Sequence, residues 1–312
     1  MESITKLLGI KYPVIMAPMF LVTNVDMMTE ALNSGIAAAI PALNFRSDED
    51  FRDAITTIRT RSEGPIGVNL IVNKSNVKLK KQLESCTDLK VDFIITSLGS
   101  PKEVIQKCKP LGIKVFCDVI DLKYARKVQD LGADAVIAVN SMAGGHAGKI
   151  APDPLIKELA AKLDIPVISA GGISTRDDVD HIIELGAAGV SVGTIFIASE
   201  ESDVSDDYKN ALVKYSAKDV ILTDSISGTP LTVINTPYVQ GLKHEAGKFK
   251  KFLLKNRRFK KLAKMFVMLK GMKSIKRAAQ KPTYKTVWVA GPSIENIVEI
   301  KPVKEIVRSL VS

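Results

Sequence analysis

Two stretches of the sequence, PVISAGGIS at residues 166–174 and GVSVGT at residues 189–194, decide the fold. Each begins as a short run of small and β-branched apolar residues, which predicts a buried strand, and each then reaches glycine. A glycine directly after a strand leaves the backbone N–H groups uncovered, so that an anion can approach them. In a closed barrel of eight parallel strands, the phosphate site is expected after the seventh and eighth strands. The two stretches therefore indicate such a barrel if six similar units precede them.

Six strand and helix units do precede them, at regular intervals. The predicted strands are residues 13–17, 36–40, 65–70, 91–96, 113–118, 135–140, 166–170 and 189–193. The predicted helices are residues 26–33, 48–60, 76–85, 101–109, 122–130, 153–163, 175–184 and 206–215. A doubly wound open sheet is the main alternative, but it carries its phosphate-binding glycines after the first strand, where this chain has Ala17-Pro18-Met19. We therefore predict an α/β protein with the (β/α)8 TIM-barrel fold.

The composition changes after the eighth unit. Residues 1–240 form the predicted barrel, residues 241–286 a basic amphipathic helical extension packed on or near it, and residues 287–312 a closing segment. The part from Lys243 to Lys285 contains 16 Lys and Arg and one acid, a charge of +15, whereas the whole chain carries +10 and the remainder therefore −5. A lysine-rich solvated face and a docking surface for an acidic protein both fit this charge.

Other classes of function find little support. The chain has no long apolar run and no leader-like N-terminus, so we expect a cytoplasmic protein without a transmembrane segment. Its three cysteines form no Cys-x-x-Cys pair, which argues against a thiolate-bound zinc or an iron–sulfur cluster, and no metal is expected. Nucleic acid is not an expected partner, because the sequence lacks a zinc module or an aromatic-interleaved binding motif. A non-catalytic protein that binds an anionic surface through the basic extension stays open as an alternative, and so does a homodimer.

The residues that follow the strands are the candidates for a site, because all of the strand ends point to one face of a barrel. Ala170, Gly171 and Gly172 after the seventh strand, and Gly193 and Thr194 after the eighth, offer N–H groups and a hydroxyl to a phosphate. A helix expected to begin near Ser174 adds the positive end of its dipole.

The loop AGGHAG at residues 143–148 is a second candidate. Gly144 and Gly145 let the backbone run close to a planar ligand, and His146 can move a proton near neutral pH. Asn69, after the third strand, can both donate and accept hydrogen bonds at the edge of a pyrimidine ring. Asp118, after the fifth strand, is set aside, because a carboxylate there can equally bond to neighbouring backbone amides.

Five motifs in order resemble the nitronate monooxygenase family, formerly the 2-nitropropane dioxygenases. They are PVIMAPM at residues 13–19, GVNL at residues 67–70, AGGHAG at residues 143–148, AGGI at residues 170–173, and Gly193-Thr194. The resemblance covers residues 5–240 and implies FMN at the mouth of the barrel. It implies that Gly171, Gly172, Gly193 and Thr194 hold the phosphate, that Ala17, Met19 and Asn69 lie near the ring, and that His146 is a base or a hydrogen-bond partner of the substrate. The implied reaction oxidises a nitronate with O2 to a carbonyl compound and nitrite.

The chain departs from the family pattern at four places. Met142 stands where many members have a glutamate, Pro292 follows Ala290-Gly291 in place of glutamine, and Thr229 and Thr232 replace arginines. These departures concern substrate and electron donor more than FMN. NAD(P)H-dependent flavin reductases of the enoyl-acyl-carrier-protein or quinone type are therefore the alternative among enzymes, and the first of these would use an acidic carrier protein, which suits the basic extension.

Overall fold

The fold is that of a computed structural model. The structure describes residues 3–223, 230–241 and 287–312. Eight parallel strands form a closed barrel in sequence order. The strands are β1 (Val14–Met16), β2 (Ala37–Pro41), β3 (Ile66–Ile71), β4 (Phe93–Ser97), β5 (Lys114–Val119), β6 (Ala135–Val139), β7 (Val167–Ala170) and β8 (Gly189–Val192). The barrel closes where Val14 to Met16 pair with Val190 to Val192. The predicted TIM barrel is confirmed.

The helices surround the barrel and alternate with its strands. They are α1 (Ile4–Leu8), α2 (Val25–Asn33), α3 (Asp48–Arg61), α4 (Leu79–Asp88), α5 (Lys102–Cys108), α6 (Leu122–Asp130), α7 (Pro152–Lys162), α8 (Arg176–Glu184), α9 (Thr194–Ile197), α10 (Asp206–Lys214) and α11 (Val303–Val311). Two short strands, β9 (Val220–Thr223) and β10 (Leu231–Ile234), pair antiparallel outside the barrel. No helix of the described ranges is long and apolar enough to cross a membrane.

The interior of the barrel is filled by side chains from alternate strand positions, as the period of two in a strand requires. The rings of Phe93 and Phe116 stack at 5.2 Å between centroids. Gly67 makes room for them, since a Cβ there would lie 2.3 Å from the Phe93 ring. Ile4 of α1 is fully buried and closes the amino-terminal end, where Gly189 leaves space for it. The open end is therefore the carboxyl-terminal one, called the barrel mouth below.

The last helix completes the outer shell. Helix α11 packs against both α2 and α8, so it fills the gap between the first and last helices of the ring. Arg176 at the start of α8 donates to the carbonyl of Val311 at 2.8 Å. Helix α10 was predicted as the eighth helix of the ring. It packs instead against the C-terminal segment, where the ring of Tyr208 stacks on the ring of Trp288. The predicted basic helical extension lies almost entirely outside the described residues.

Candidate active site

The turn after β7 has the backbone shape that only glycine adopts readily. Gly171 has φ +116° and Gly172 has φ +83°, both in the left-handed region. A Cβ on Gly171 would also lie 2.5 Å from the Ala143 nitrogen and from Asn140 Oδ1. Both glycines are half-buried at the barrel mouth. The backbone of this turn therefore remains accessible to a ligand.

Asn140 joins this turn to the histidine loop. It is fully buried, and its Nδ2 donates to the Gly171 carbonyl at 2.9 Å while its Oδ1 accepts from the Met142 nitrogen at 2.8 Å. An amide that both donates and accepts can fix two loops at once. The sequence predicted Asn140 only as the last residue of the sixth strand, residues 135–140, and gave it no role. The signal available was its position as the first polar residue after a buried strand.

The turn after β8 lies against the turn after β1. A Cβ on Gly193 would lie 3.6 Å from both the Ala17 Cβ and the Met19 sulfur, so the bare glycine leaves a gap between these side chains. Pro18 connects the two in sequence, and the Met19 nitrogen donates to the Thr23 hydroxyl at 2.9 Å. The structure therefore brings together the predicted residues of the first and eighth turns.

Thr194 and Gly144 both meet the C-terminal segment. The Gly291 nitrogen donates to Thr194 Oγ1 at 3.0 Å, which leaves the hydroxyl hydrogen of Thr194 available for another acceptor. A Cβ on Gly144 would approach the Gly291 nitrogen to 2.8 Å. Gly145 has φ +79° and accepts from the Thr232 nitrogen at 2.8 Å. The histidine loop is thus held between the β8 turn on one side and Gly291 and Thr232 on the other.

His146 is exposed at the barrel mouth, in the loop after β6. The protein atoms around the ring nevertheless desolvate it and lower the pKa of His146. The neutral imidazole therefore predominates at pH 7, and a neutral imidazole can accept a proton.

On the opposite side of the mouth, three polar residues of β3, β4 and β5 form a hydrogen-bonded chain. Asn69 Nδ2 donates to the Ile95 carbonyl at 3.1 Å and to Ser97 Oγ at 2.8 Å. Ser97 Oγ donates to Asp118 Oδ2 at 2.5 Å. Burial raises the pKa of Asp118 to about 6, although the hydrogen bond from Ser97 acts in the other direction. The sequence singled out Asn69, whereas Ser97 was missed and Asp118 was set aside.

Helix α8 begins later than the start near Ser174 that the sequence predicted. The helix begins at Arg176 and is capped by Thr175. The Asp178 carboxylate accepts from the nitrogens of Ser174 and Thr175, each at 2.9 Å. A side-chain carboxylate therefore already occupies the positive end of this helix dipole. The N–H groups of Ser174 and Thr175 are therefore not free for an external anion.

The cysteines are packing residues. Cys86, Cys108 and Cys117 are all buried, and burial raises the pKa of Cys108 to about 11 and that of Cys117 to about 12. A thiol with so high a pKa is not a nucleophile at neutral pH. Within the part of the chain that the structure describes, no three His, Cys, Asp or Glu side chains are grouped to hold a metal ion.

The departures from the family motifs occupy structural positions. Met142 lies over the β7 turn, where its Cβ would be 3.0 Å from a Cβ on Gly172. Thr232 is buried and its backbone bridges to Gly145. Thr229 lies outside the described residues. The site therefore lacks the charged side chains that the family pattern places at Met142 and Thr232.

Comparisons with known proteins agree with this arrangement. The chain is 30% identical over 242 residues to (3aS,4S,5R,7aS)-5-hydroxy-7a-methyl-1-oxo-octahydro-1H-indene-4-carboxyl-CoA dehydrogenase of Rhodococcus jostii, covering 78% of this chain and 68% of the relative. It is 28% identical over 281 residues to a probable nitronate monooxygenase of Staphylococcus saprophyticus, covering 76% and 79%. The solved structure of FabK from Thermotoga maritima superimposes with a TM-score of 0.86 at 30% identity, covering 99% and 95%.

The family model for nitronate monooxygenase matches residues 75–312, which include the histidine loop, both glycine turns and the closing helix α11. This match and the architecture of the barrel mouth make the protein an enzyme of the oxidoreductase class. The chain belongs to the nitronate monooxygenase family.

Proposed function

We propose that this enzyme is an FMN-dependent nitronate monooxygenase, which oxidises alkyl nitronates with O2 to a carbonyl compound and nitrite. The observation that carries the proposal is the convergence of the β1, β6 and β8 turns on one place at the barrel mouth. Ala17 and Met19 flank the gap at Gly193, and Gly144 meets Thr194 beside it. The β7 turn joins the same loop through Asn140.

The residues present fit FMN. Gly171, Gly172, Gly193 and Thr194 would hold the phosphate with backbone N–H groups and one hydroxyl. The gap at Gly193 between Ala17 and Met19 is one that a Cβ would fill, which is the close backbone approach a bound ligand requires. Asn69 and Pro18 would border the ring, and Ala170, Gly144 and Gly145 would border the ribityl side. When bound, the flavin supplies the redox chemistry, taking electrons from the substrate and passing them to O2.

His146 would act on the substrate at the open side of the mouth. Its lowered pKa keeps the imidazole neutral at pH 7, so that it can take the α-proton of a nitroalkane to form the nitronate, or donate one hydrogen bond to an oxygen of the nitronate itself. The exposed position of the ring suits contact with a ligand that enters from solvent.

A second candidate, an NAD(P)H-dependent flavin reductase of a thioester substrate, is favoured by the apolar rim of the mouth. Phe20, Leu98, Ile120 and Met142 follow β1, β4, β5 and β6 and expose 37%, 53%, 49% and 36% of their surface. An apolar rim suits an acyl chain better than a small nitronate. The relative from Rhodococcus, named for a carboxyl-CoA compound, supports this candidate as well.

Anaerobic mixing of the FMN form with an alkyl nitronate, and separately with NADH and NADPH, tests the two candidates. Bleaching of the flavin absorbance by the nitronate, with nitrite released once oxygen is admitted, is the expected result. Bleaching by the nicotinamides alone would contradict the proposal and establish the reductase in its place.

A further inference from the structure

The polar chain of Asn69, Ser97 and Asp118 lies at the inward-facing level of three adjacent strands, across the mouth from the glycine turns. The contact between Asn69 and the Ile95 carbonyl fixes the direction of the hydrogen bonds in this chain. The Ile95 carbonyl can only accept, so the side of the Asn69 amide that faces it, at 3.1 Å, must be the nitrogen. The second hydrogen on that nitrogen then goes to Ser97 Oγ at 2.8 Å.

The remaining bonds follow from this assignment. Because Ser97 Oγ receives a hydrogen from Asn69, its own single hydrogen is available for Asp118 Oδ2, 2.5 Å away. Asp118 must therefore accept, which an ionised carboxylate does with both oxygens. The amide oxygen of Asn69 takes part in none of these bonds, and Asn69 borders the mouth with 8% of its surface exposed.

We propose that Asp118, acting through Ser97, is a positioning residue that holds the Asn69 amide with its oxygen toward the barrel mouth, where this oxygen accepts a hydrogen bond from the pyrimidine N3–H of the flavin. This inference rests on the proposed FMN site and goes beyond it, because it assigns a polarity to Asn69 and a role to two residues outside the family motifs. A carboxylate with the pKa of about 6 noted above is mostly ionised at pH 7 and so available as the acceptor.

A purely structural role explains these contacts less well. Ser97 and Asp118 are only half-buried, and they face the mouth rather than the helical layer. Thr96, the neighbour of Ser97 on β4, carries a hydroxyl with a purely structural position and serves as the comparison. It is buried on the outer face, where its hydroxyl lies 3.4 Å from the Phe116 carbonyl oxygen and 3.2 Å from the Cys117 sulfur and can donate its one hydrogen to either. Thr96→Val is therefore a matched control that removes a hydroxyl one residue away.

The test measures binding, not turnover. Apoprotein is titrated with FMN and with 3-deaza-FMN, in which C–H replaces N3–H, and the two dissociation constants are compared. Wild type is expected to prefer FMN by about tenfold, the effect of one hydrogen bond to a desolvated acceptor. Ser97→Ala and Asp118→Leu leave only the Ile95 carbonyl to hold the amide, and they are expected to lose part of this preference. Asp118→Asn, whose amide oxygen can still accept from Ser97, and Thr96→Val are expected to keep it.

The outcomes separate this inference from the proposed function. If wild type binds neither flavin, the FMN site itself is wrong and the inference falls with it. If wild type binds FMN without preferring it to the 3-deaza analogue, or if Ser97→Ala and Asp118→Leu keep the full preference, only the inference is overturned. An equal loss of the preference for FMN in Asp118→Asn and Asp118→Leu would also overturn the inference. The negative charge of Asp118, and not its oxygen as a hydrogen-bond acceptor, would then determine the preference.

Discussion

At the scale of single residues, Asp118 makes the stability of the apoprotein depend on pH. Its pKa of about 6 lies above the value near 3.8 of an exposed aspartate, so the folded protein holds a proton that the unfolded chain has already lost. Ionisation of Asp118 therefore destabilises the fold, and this loss develops as pH rises from about 4 to above 6. The neighbours Cys117 and Tyr124 do not supply a compensating cation, since both are acids.

Replacement of Asp118 by asparagine removes this ionisation. We expect Asp118→Asn to raise the free energy of unfolding of the apoprotein by about 2 kcal/mol more at pH 8 than at pH 4.5. Urea unfolding at both pH values measures the difference. An equal effect at both would contradict the assignment of the raised pKa to Asp118.

His146 is expected to affect turnover without affecting cofactor binding. A general base contributes roughly 100-fold to 10,000-fold to a rate, so His146→Ala should lower kcat by at least about 100-fold. The FMN dissociation constant should change by less than about threefold, because the proposed phosphate site lies at the glycine turns and not at His146. His181→Ala is the control, since His181 pairs with Asp153 on the outer surface. A parallel loss of FMN binding in His146→Ala would show that the residue supports the loop instead.

Gly171 is expected to tolerate no side chain. Alanine there combines a left-handed φ with a Cβ 2.5 Å from the Ala143 nitrogen, whereas Gly112 has φ +74° and open space around it. Gly112→Ala should cost about 1 kcal/mol of stability, and Gly171→Ala more than about 2 kcal/mol together with a loss of FMN affinity. Thermal unfolding and FMN titration of both variants make the comparison. Similar losses in the two would contradict the close contact at Gly171.

At the scale of elements, the strands were predictable because each is a short apolar run bounded by turn residues. All eight agree with the structure to within one or two residues. One of these small errors hid part of the site: ending the fourth strand at Thr96 left Ser97 in a loop. In the structure Ser97 is the last residue of β4, and it reaches Asp118 on β5. Pairing between strands, which sets such neighbours, cannot be read from one strand alone.

The sequence predicted that a segment is helical more reliably than it predicted where that helix packs in the outer layer of the barrel. The helical pattern at residues 206–215 is correct, but the gap between α2 and α8 is filled by α11, almost 90 residues further along. Tertiary packing decides such a choice, and no local propensity signals it. Helix α1 was missed for a similar reason, since its five residues become a helix only as the plug under the barrel.

Helix α11 should therefore contribute strongly to stability. Leu310 is fully buried between the neighbouring helices, so Leu310→Ala is expected to lower the free energy of unfolding by about 2–5 kcal/mol. Lys304 lies on the exposed side of the same helix, and Lys304→Ala should change the free energy of unfolding by less than about 0.5 kcal/mol. Chemical denaturation compares the two variants. Equal effects would mean that α11 is not part of the barrel shell.

At the scale of the whole molecule, the two sides of the barrel mouth have opposite polarity. The turns of β7 and β8 present backbone donors, whereas β3 to β5 present acceptors through Asn69 and Asp118. A ligand with a phosphate at one end and a ring N–H at the other matches both sides, and FMN is such a ligand. From sequence, the glycine motifs predict the donor side. The acceptor side required the three-dimensional register of three strands.

Titration of the apoprotein with FMN and with riboflavin tests this account most directly, because the two differ only in the phosphate. We predict one FMN bound per chain and riboflavin bound about 100-fold more weakly, the effect expected from two or three charge-assisted hydrogen bonds to the glycine turns. Equal affinities for the two flavins, or no binding of FMN, would contradict the assignment of the β7 and β8 turns as a phosphate site.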